Sequence, residues 1–220
     1  MIKIIEVSSF EDATSHSSNI LINQSVKLDS EMNIALTGGR FGLHLAKNLK
    51  LSDLQTSLIN IFQTDERFTL PTGKDSIQFM LMKEISNLNS DTTYETFFFD
   101  TNLSANESMN NMHDILISKK IDCFDCTFLS LGEDGHLAGD FQQSSYYLEK
   151  FSWTETSPKP PKKRISFSAS WLAKSKIIIL AVFGDEKTIA LRNFLNGDGM
   201  HSNILGSSNL VILKDNKIFI

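Results

Sequence analysis

Residues 124–138 read Phe-Asp-Cys-Thr-Phe-Leu-Ser-Leu-Gly-Glu-Asp-Gly-His-Leu-Ala. The run from Phe124 to Leu131 has the length and apolar content of a buried strand, and it stops at Gly132. Glu133, Asp134, a second glycine and His136 follow within four residues. A chain gains no stability by gathering two carboxylates and an imidazole at one strand end. The segment therefore predicts a buried strand that opens into a loop able to move protons.

The same grammar recurs on either side. Asn33 to Leu36 leads into Thr37-Gly38-Gly39-Arg40-Phe41-Gly42, after which Leu43, Ala46, Leu49 and Leu51 return at helical spacing. Paired glycines let backbone N–H groups approach a ligand, and the helix that follows points its positive end at the turn, which suits a phosphate or carboxylate. The turn is neither a dinucleotide G-x-G-x-x-G nor a Walker loop, so an ordinary tight turn is the alternative. Leu58 to Phe62 runs into Gln63-Thr64-Asp65-Glu66-Arg67, either a ligand-binding rim or a solvated charged turn. Ile177 to Phe183 breaks at Gly184-Asp185-Glu186-Lys187 before a helical period from Ile189 to Leu195. Lys187 then opposes the dipole of a helix start, as an anion ligand would or as a merely exposed lysine does. Pro160-Pro161-Lys162-Lys163-Arg164 enters an alternating strand, Ile165 to Ser168; its cations form a solvated turn or, through the fork of Arg164, a phosphate contact.

The remaining segments predict an edge strand at Ile2 to Val7, a weakly amphipathic helix over Phe10 to Leu28, and a helix over Asp75 to Leu88 capped by Asp75 or Ser76. Thr93 to Phe99 reads as a strand, and Ser104 with Glu107 as a capping box for a helix ending near Lys119-Lys120, with His113 a surface or packing residue midway. A short helix is expected from Leu137, an irregular surface excursion from Gln142 to Pro161, and a hairpin or two edge strands from Asn209 to Leu213 and Lys217 to Ile220. Strands alternating with helices predict an α/β fold whose mainly parallel sheet is covered on both faces, with the charged loops at one rim.

With 220 residues, no repeat and no Gly/Ser-rich linker, residues 1–220 are expected to form a single domain, its core filled partly by 16 Phe. The net charge of −5 excludes a general polyanion binder, so no nucleic-acid partner is expected, and any phosphorylated ligand must meet a local cationic pocket. Glu6 interrupts what would be a signal peptide's apolar region, and no apolar run is long enough to span a bilayer. These features predict a cytoplasmic protein without a membrane partner; they specify no oligomeric state. Cys123 and Cys126 form a lone C-x-x-C at a strand start, read as core packing over a redox pair, and no second pair completes a zinc site.

In order and spacing, several blocks resemble the motifs of the 6-phosphogluconolactonase family. They are Ala35 to Arg40, Thr64 to Arg67, Leu131 to Ala138, Pro161 to Ser168 and Gly184 to Lys187, with Gly-x-x-Asp-Gly-His-x-Ala the most specific. The resemblance implies a doubly wound, Rossmann-like α/β fold of the sugar-phosphate isomerase/lactonase type. It also implies hydrolysis of 6-phospho-D-glucono-1,5-lactone to 6-phosphogluconate, a pentose-phosphate step needing no cofactor or metal. By the same resemblance His136 is the general base, Asp134 its orienting partner, and Arg67 a donor to the oxyanion. Gly38, Gly39, Arg40, Asp65, Arg164 and Lys187 would bind the phosphorylated sugar lactone. The related glucosamine-6-phosphate deaminase/isomerases also carry Asp-Gly-His, but place a glutamate five residues after the histidine, where this chain has Phe141. Phe41-Gly42, Ile77 and Gly206 are further departures from the usual lactonase pattern. A deaminase/isomerase and a non-catalytic sugar-phosphate-binding regulator are the alternative readings.

Overall fold

The computed structural model describes residues 2–28, 31–85, 93–207 and 209–219. Eleven strands and six α-helices follow one another as β1 (Ile2–Val7), α1 (Phe10–Ser25), β2 (Glu31–Leu36), α2 (Gly39–Asn48), β3 (Leu58–Gln63), β4 (Asp65–Arg67), α3 (Ile77–Ile85), β5 (Thr93–Phe97), α4 (Ala105–Ser118), β6 (Cys126–Ser130), β7 (Ser145–Tyr147), β8 (Phe151–Thr154), β9 (Arg164–Phe167), α5 (Ala169–Leu172), β10 (Ile177–Val182), α6 (Thr188–Leu195) and β11 (Leu210–Asp215) among the described residues. Seven strands form one sheet in the order β1-β11-β10-β6-β2-β3-β5, and every pairing in it is parallel.

Burial on both faces explains the unbroken apolar runs of the central strands. Along β10, Ile179 and Ala181 face a core half shared with α1, α2 and α3, through Leu21, Leu45 and Leu81. Ile178, Leu180 and Val182 face the other half, with Met112 of α4, Trp171 of α5 and Leu191 of α6. Cys126 lies in the first half as a packed strand residue, its thiol pushed up by burial. The cap at Ser104 and Glu107 forms in both directions, and His113 sits on α4 with its Nδ1 3.4 Å from Lys150 Nζ.

Several expectations need correction. Leu137 begins no helix: it makes isolated antiparallel bridges to Leu131 and Asp140, folding the loop back on itself. The segment from Gln142 to Pro161 is not wholly irregular, because it carries β7 and β8, which join β4 and β9 in a small antiparallel sheet ordered β4-β9-β8-β7. Asp65-Glu66-Arg67 is thus a strand rather than a turn. The tail forms no hairpin, since β11 inserts parallel between β1 and β10, and Lys217 to Phe219 carries no strand. Lys187 ends a 3-10 turn (Asp185–Lys187) and stands at the N-cap of α6, one position before its first turn. The expected end of α3 at Leu88 lies outside the described residues.

Candidate active site

Strands β2 and β6 pair at Ile34–Cys126 and Ala35–Thr127, and from there the chain winds outward in both directions, to β3 and β5 on one side and to β10 and β11 on the other. At such a switch point the loops leaving the two strands diverge, and the gap between them is where open α/β sheets hold ligands. Here the diverging loops are Thr37-Gly38-Gly39 and Leu131 to Ala138. They line a cavity of about 340 Å³.

The first loop enters α2 with Gly38 as N-cap, and among the described residues no side-chain cap bonds the start of the helix. Gly39 follows at φ 72, in the left-handed region where glycine is favoured. Free amides at a helix start, beside the exposed Arg40, suit an anion.

The second loop is closed by Gly132 N–H donating to the His136 carbonyl at 2.9 Å and by Gly135 N–H donating to the Gly132 carbonyl at 3.1 Å. Leu137, fully buried, anchors it and turns His136 into the cavity. His136 Nδ1 is hydrogen-bonded to Asp134 Oδ1. That bond, with the attraction between the two groups, holds the Asp134 carboxyl down at about 2. An ionised carboxylate only accepts, so Nδ1 carries a proton, and in the neutral imidazole it is then Nε2 that holds the lone pair. A Cβ on Gly132 would stand 2.2 Å from His136 Nδ1 and 2.7 Å from Asp134 Oδ1, so this pairing needs glycine there. Phe141 packs its ring on the imidazole, with centroids 4.4 Å apart.

The small sheet supplies the opposite wall. β4 and β9 pair Asp65 with Ser166 and Arg67 with Arg164, which brings two cations and a carboxylate to the cavity. Arg164 is 7 % exposed; its Nε donates to Ser157 Oγ at 3.4 Å and its Nη2 to the Lys159 carbonyl at 3.2 Å. Arg67 Nη1 donates to the Asp75 carbonyl at 3.1 Å, whereas its buried Nε has no hydrogen-bond partner among the described residues. An orphaned buried donor on a cavity wall is a group waiting for an acceptor. Lys187 likewise has no hydrogen-bond or ion-pair partner among the described residues. Burial, and then the like charge of Arg40, press its pKa down against the pull of Glu186.

Eight of the nine residues expected in the site therefore line one cavity: Gly38, Gly39, Arg40, Asp65, Arg67, His136, Arg164 and Lys187. The ninth, Asp134, stands behind the imidazole and outside that lining. Sequence reasoning passed over three features. Ile77, the first residue of α3, gives the cavity an apolar patch. Glu133 lines the cavity and pairs with Lys159 at 2.9 Å. Glu66 holds the start of α3: its carboxylate accepts from the N–H groups of Ile77 and Gln78, both at 2.7 Å. Lys159, the partner of Glu133, falls in the segment from Gln142 to Pro161 that the sequence reads as an irregular excursion, and Lys163 of the adjoining basic run pairs instead with Glu155.

Comparison with known proteins gives this arrangement its family. The chain is 28 % identical over 184 residues to the 6-phosphogluconolactonase of Borreliella burgdorferi, covering 79 % of this chain and 77 % of the relative. The 6-phosphogluconolactonase structure from Leishmania guyanensis superposes with a TM-score of 0.83 at 17 % identity, over 99 % of this chain and 97 % of that one. A monomeric glucosamine-6-phosphate deaminase superposes with a TM-score of 0.77 at 18 % identity, over 98 % of each chain, so the fold alone does not choose between the two chemistries. The family profile of glucosamine-6-phosphate isomerases/6-phosphogluconolactonase matches residues 8–209, nearly the whole chain, and the protein belongs to that family.

Proposed function

We propose that this protein hydrolyses 6-phospho-D-glucono-1,5-lactone to 6-phosphogluconate, with His136 as general base. The observation that carries the reading is the pairing of His136 Nδ1 with an ionised Asp134 at the edge of a cavity lined by Arg40, Arg67, Arg164 and Lys187. A lactone is an activated ester, so water needs only to be aimed and deprotonated. Nε2 takes that proton as the water oxygen attacks C1. The charge gathering on the carbonyl oxygen would be met by the unpartnered Arg67 Nε or by amides of the glycine loops. When the C1–O5 bond breaks, the imidazolium returns its proton to the leaving ring oxygen, and the acid product ionises. The 6-phosphate sits among the cations at the start of α2 and beside Lys187, with Asp65 reading sugar hydroxyls. A phosphorylated sugar does not cross a bilayer unaided, and no described helix is long and apolar enough to cross a membrane, so we read the step as cytoplasmic.

Ring opening and deamination would need a carboxylate near the imidazole on the substrate side. Phe141 occupies the position where the deaminases carry it, and its ring packs on His136, which favours hydrolysis over deamination. Lactone hydrolysis followed by NMR, with the spontaneous rate subtracted, tests the assignment. His136→Ala should lower kcat by about 10²- to 10⁴-fold, the usual worth of general-base help. Equal rates in the two proteins would remove His136 from the chemistry.

A further inference from the structure

One wall of the cavity is the segment Ser157-Pro158-Lys159-Pro160-Pro161, whose main chain is pinned while one side chain is not. The Lys159 carbonyl accepts from Arg164 Nη2 at 3.2 Å and from Ser157 Oγ at 2.8 Å, and Ser157 Oγ also reaches the Pro161 carbonyl at 3.2 Å. Prolines on both sides of Lys159 fix their own φ and restrict the residues before them. The Lys159 side chain is 68 % exposed, and among the described residues its ammonium pairs with Glu133 alone, at 2.9 Å, on a carboxylate itself 50 % exposed. So exposed an ion pair contributes little to the fold. Both partners nevertheless line the cavity. Arg164, whose fork would suit a phosphate best, has already committed Nε and Nη2 to this segment, which reduces what it can offer a ligand.

Resting on the sugar-phosphate reading of the cavity, we propose that Lys159 is a further substrate-binding residue, whose ammonium leaves Glu133 for the phosphate of the incoming ligand. Glu133 then acts in the free protein as the resting partner that keeps the cation at the cavity. The exchange is favoured by charge, because a phosphate monoester carries about −1.5 to −2 at pH 7 and presents three strong acceptor oxygens, against one negative charge on a carboxylate. It is favoured by geometry as well. The pinned backbone holds the base of the lysine stem, so only side-chain torsions have to change.

Calorimetric titration with 6-phosphogluconate and with unphosphorylated gluconate separates the possibilities, using wild type, Lys159→Met, Glu133→Gln and the double variant, each checked for an unchanged thermal midpoint. Lys159→Met should weaken 6-phosphogluconate binding by about tenfold, the loss of one charge-assisted contact. Glu133→Gln should tighten it, and that gain should vanish in the Lys159→Met background. Unchanged affinity in Lys159→Met would overturn the proposal, as would a Glu133→Gln variant that binds more weakly in both backgrounds, because Glu133 would then be touching the ligand itself. The titrations need no turnover. A wild type that binds 6-phosphogluconate through Lys159 yet hydrolyses no lactone would sink the catalytic reading and leave this one standing.

Discussion

His136 and Asp134 are two residues apart, and the tight loop between Gly132 and Leu137 makes their contact a local one. Asp134→Asn removes the obligate acceptor, so the imidazole is free to place its proton on either nitrogen and the imidazolium formed during reaction loses its counter-charge. The variant should lose about 10- to 100-fold in kcat with KM little changed, as measured by initial rates on the phosphorylated lactone. A larger change in KM than in kcat would make Asp134 a binding residue instead. The same pairing sets a pH dependence of stability. The carboxyl titrates at about 2 in the folded protein against 3.8 for the unperturbed group, so its contribution is fully present above about pH 4 and is lost as pH falls toward 2. Urea midpoints at about pH 5 and about pH 3 should therefore converge between wild type and Asp134→Asn on acidification. Divergence would contradict the depressed pKa. Because the carboxylate is 43 % exposed, solvent screening keeps this contribution small.

At the scale of elements, α3 owes its start to a residue outside its own segment. Ser76 Oγ accepts from Phe79 N–H at 3.1 Å as a local cap, as the sequence predicts. Glu66 of β4, 1 % exposed, completes the cap from ten residues upstream, accepting also from Arg67 N–H at 2.6 Å and Ser76 Oγ at 3.1 Å. Burial raises its pKa while these bonds oppose the rise. Glu66→Ala would leave those donors without an acceptor and should cost about 1–3 kcal/mol in urea unfolding. A loss below about 0.5 kcal/mol, the usual range for surface changes, would show that water replaces the carboxylate freely. The contrast between Ser76 and Glu66 marks what could be read in advance. Helices and central parallel strands announce themselves through local period and apolar runs, as α4 and β10 do. Of the small sheet only β9 does so, by its alternation; β4, β7 and β8 hold three or four residues each, too few for a period, and β4 pairs across a long separation, Asp65 with Ser166. The tail was misjudged for the same reason: nothing within Leu210 to Asp215 says that its neighbours are β1 and β10. In the site, His136 stands on a loop, Arg40 in the first turn of α2 and Lys187 at the N-cap of α6, all places that the strand-to-helix grammar exposes. The Glu133–Lys159 contact, spanning 26 residues, has no local signature.

Across the whole molecule, topology gathers cations that the sequence scatters over Arg40, Arg67, Arg164 and Lys187, inside a protein whose net charge is −5. A dianionic substrate therefore meets two opposed fields. The excess negative charges lie on the order of 20 Å away on average, where each unit pair is worth about 0.2 kcal/mol in water. The cavity cations act near contact, where a unit pair at about 4 Å is worth about 1 kcal/mol in water and several-fold more beside a protein wall. The carboxylates of Asp65, Glu133 and Glu186 temper that attraction, but Glu133 is paired with Lys159, whereas Lys187 and one donor of Arg67 have no partner among the described residues. The local field should win. Salt screens it as the Debye length shortens from about 30 Å at 0.01 M to about 10 Å at 0.1 M. Raising NaCl from about 0.01 to about 0.3 M should accordingly lower kcat/KM for the phosphorylated lactone, chiefly through KM, and leave unphosphorylated gluconolactone nearly unaffected. A rise in kcat/KM with salt would mean that the acidic surface governs the encounter. Arg67 and Arg164 would then have to be reassigned from substrate capture to holding β4, β9 and the proline-flanked wall in place.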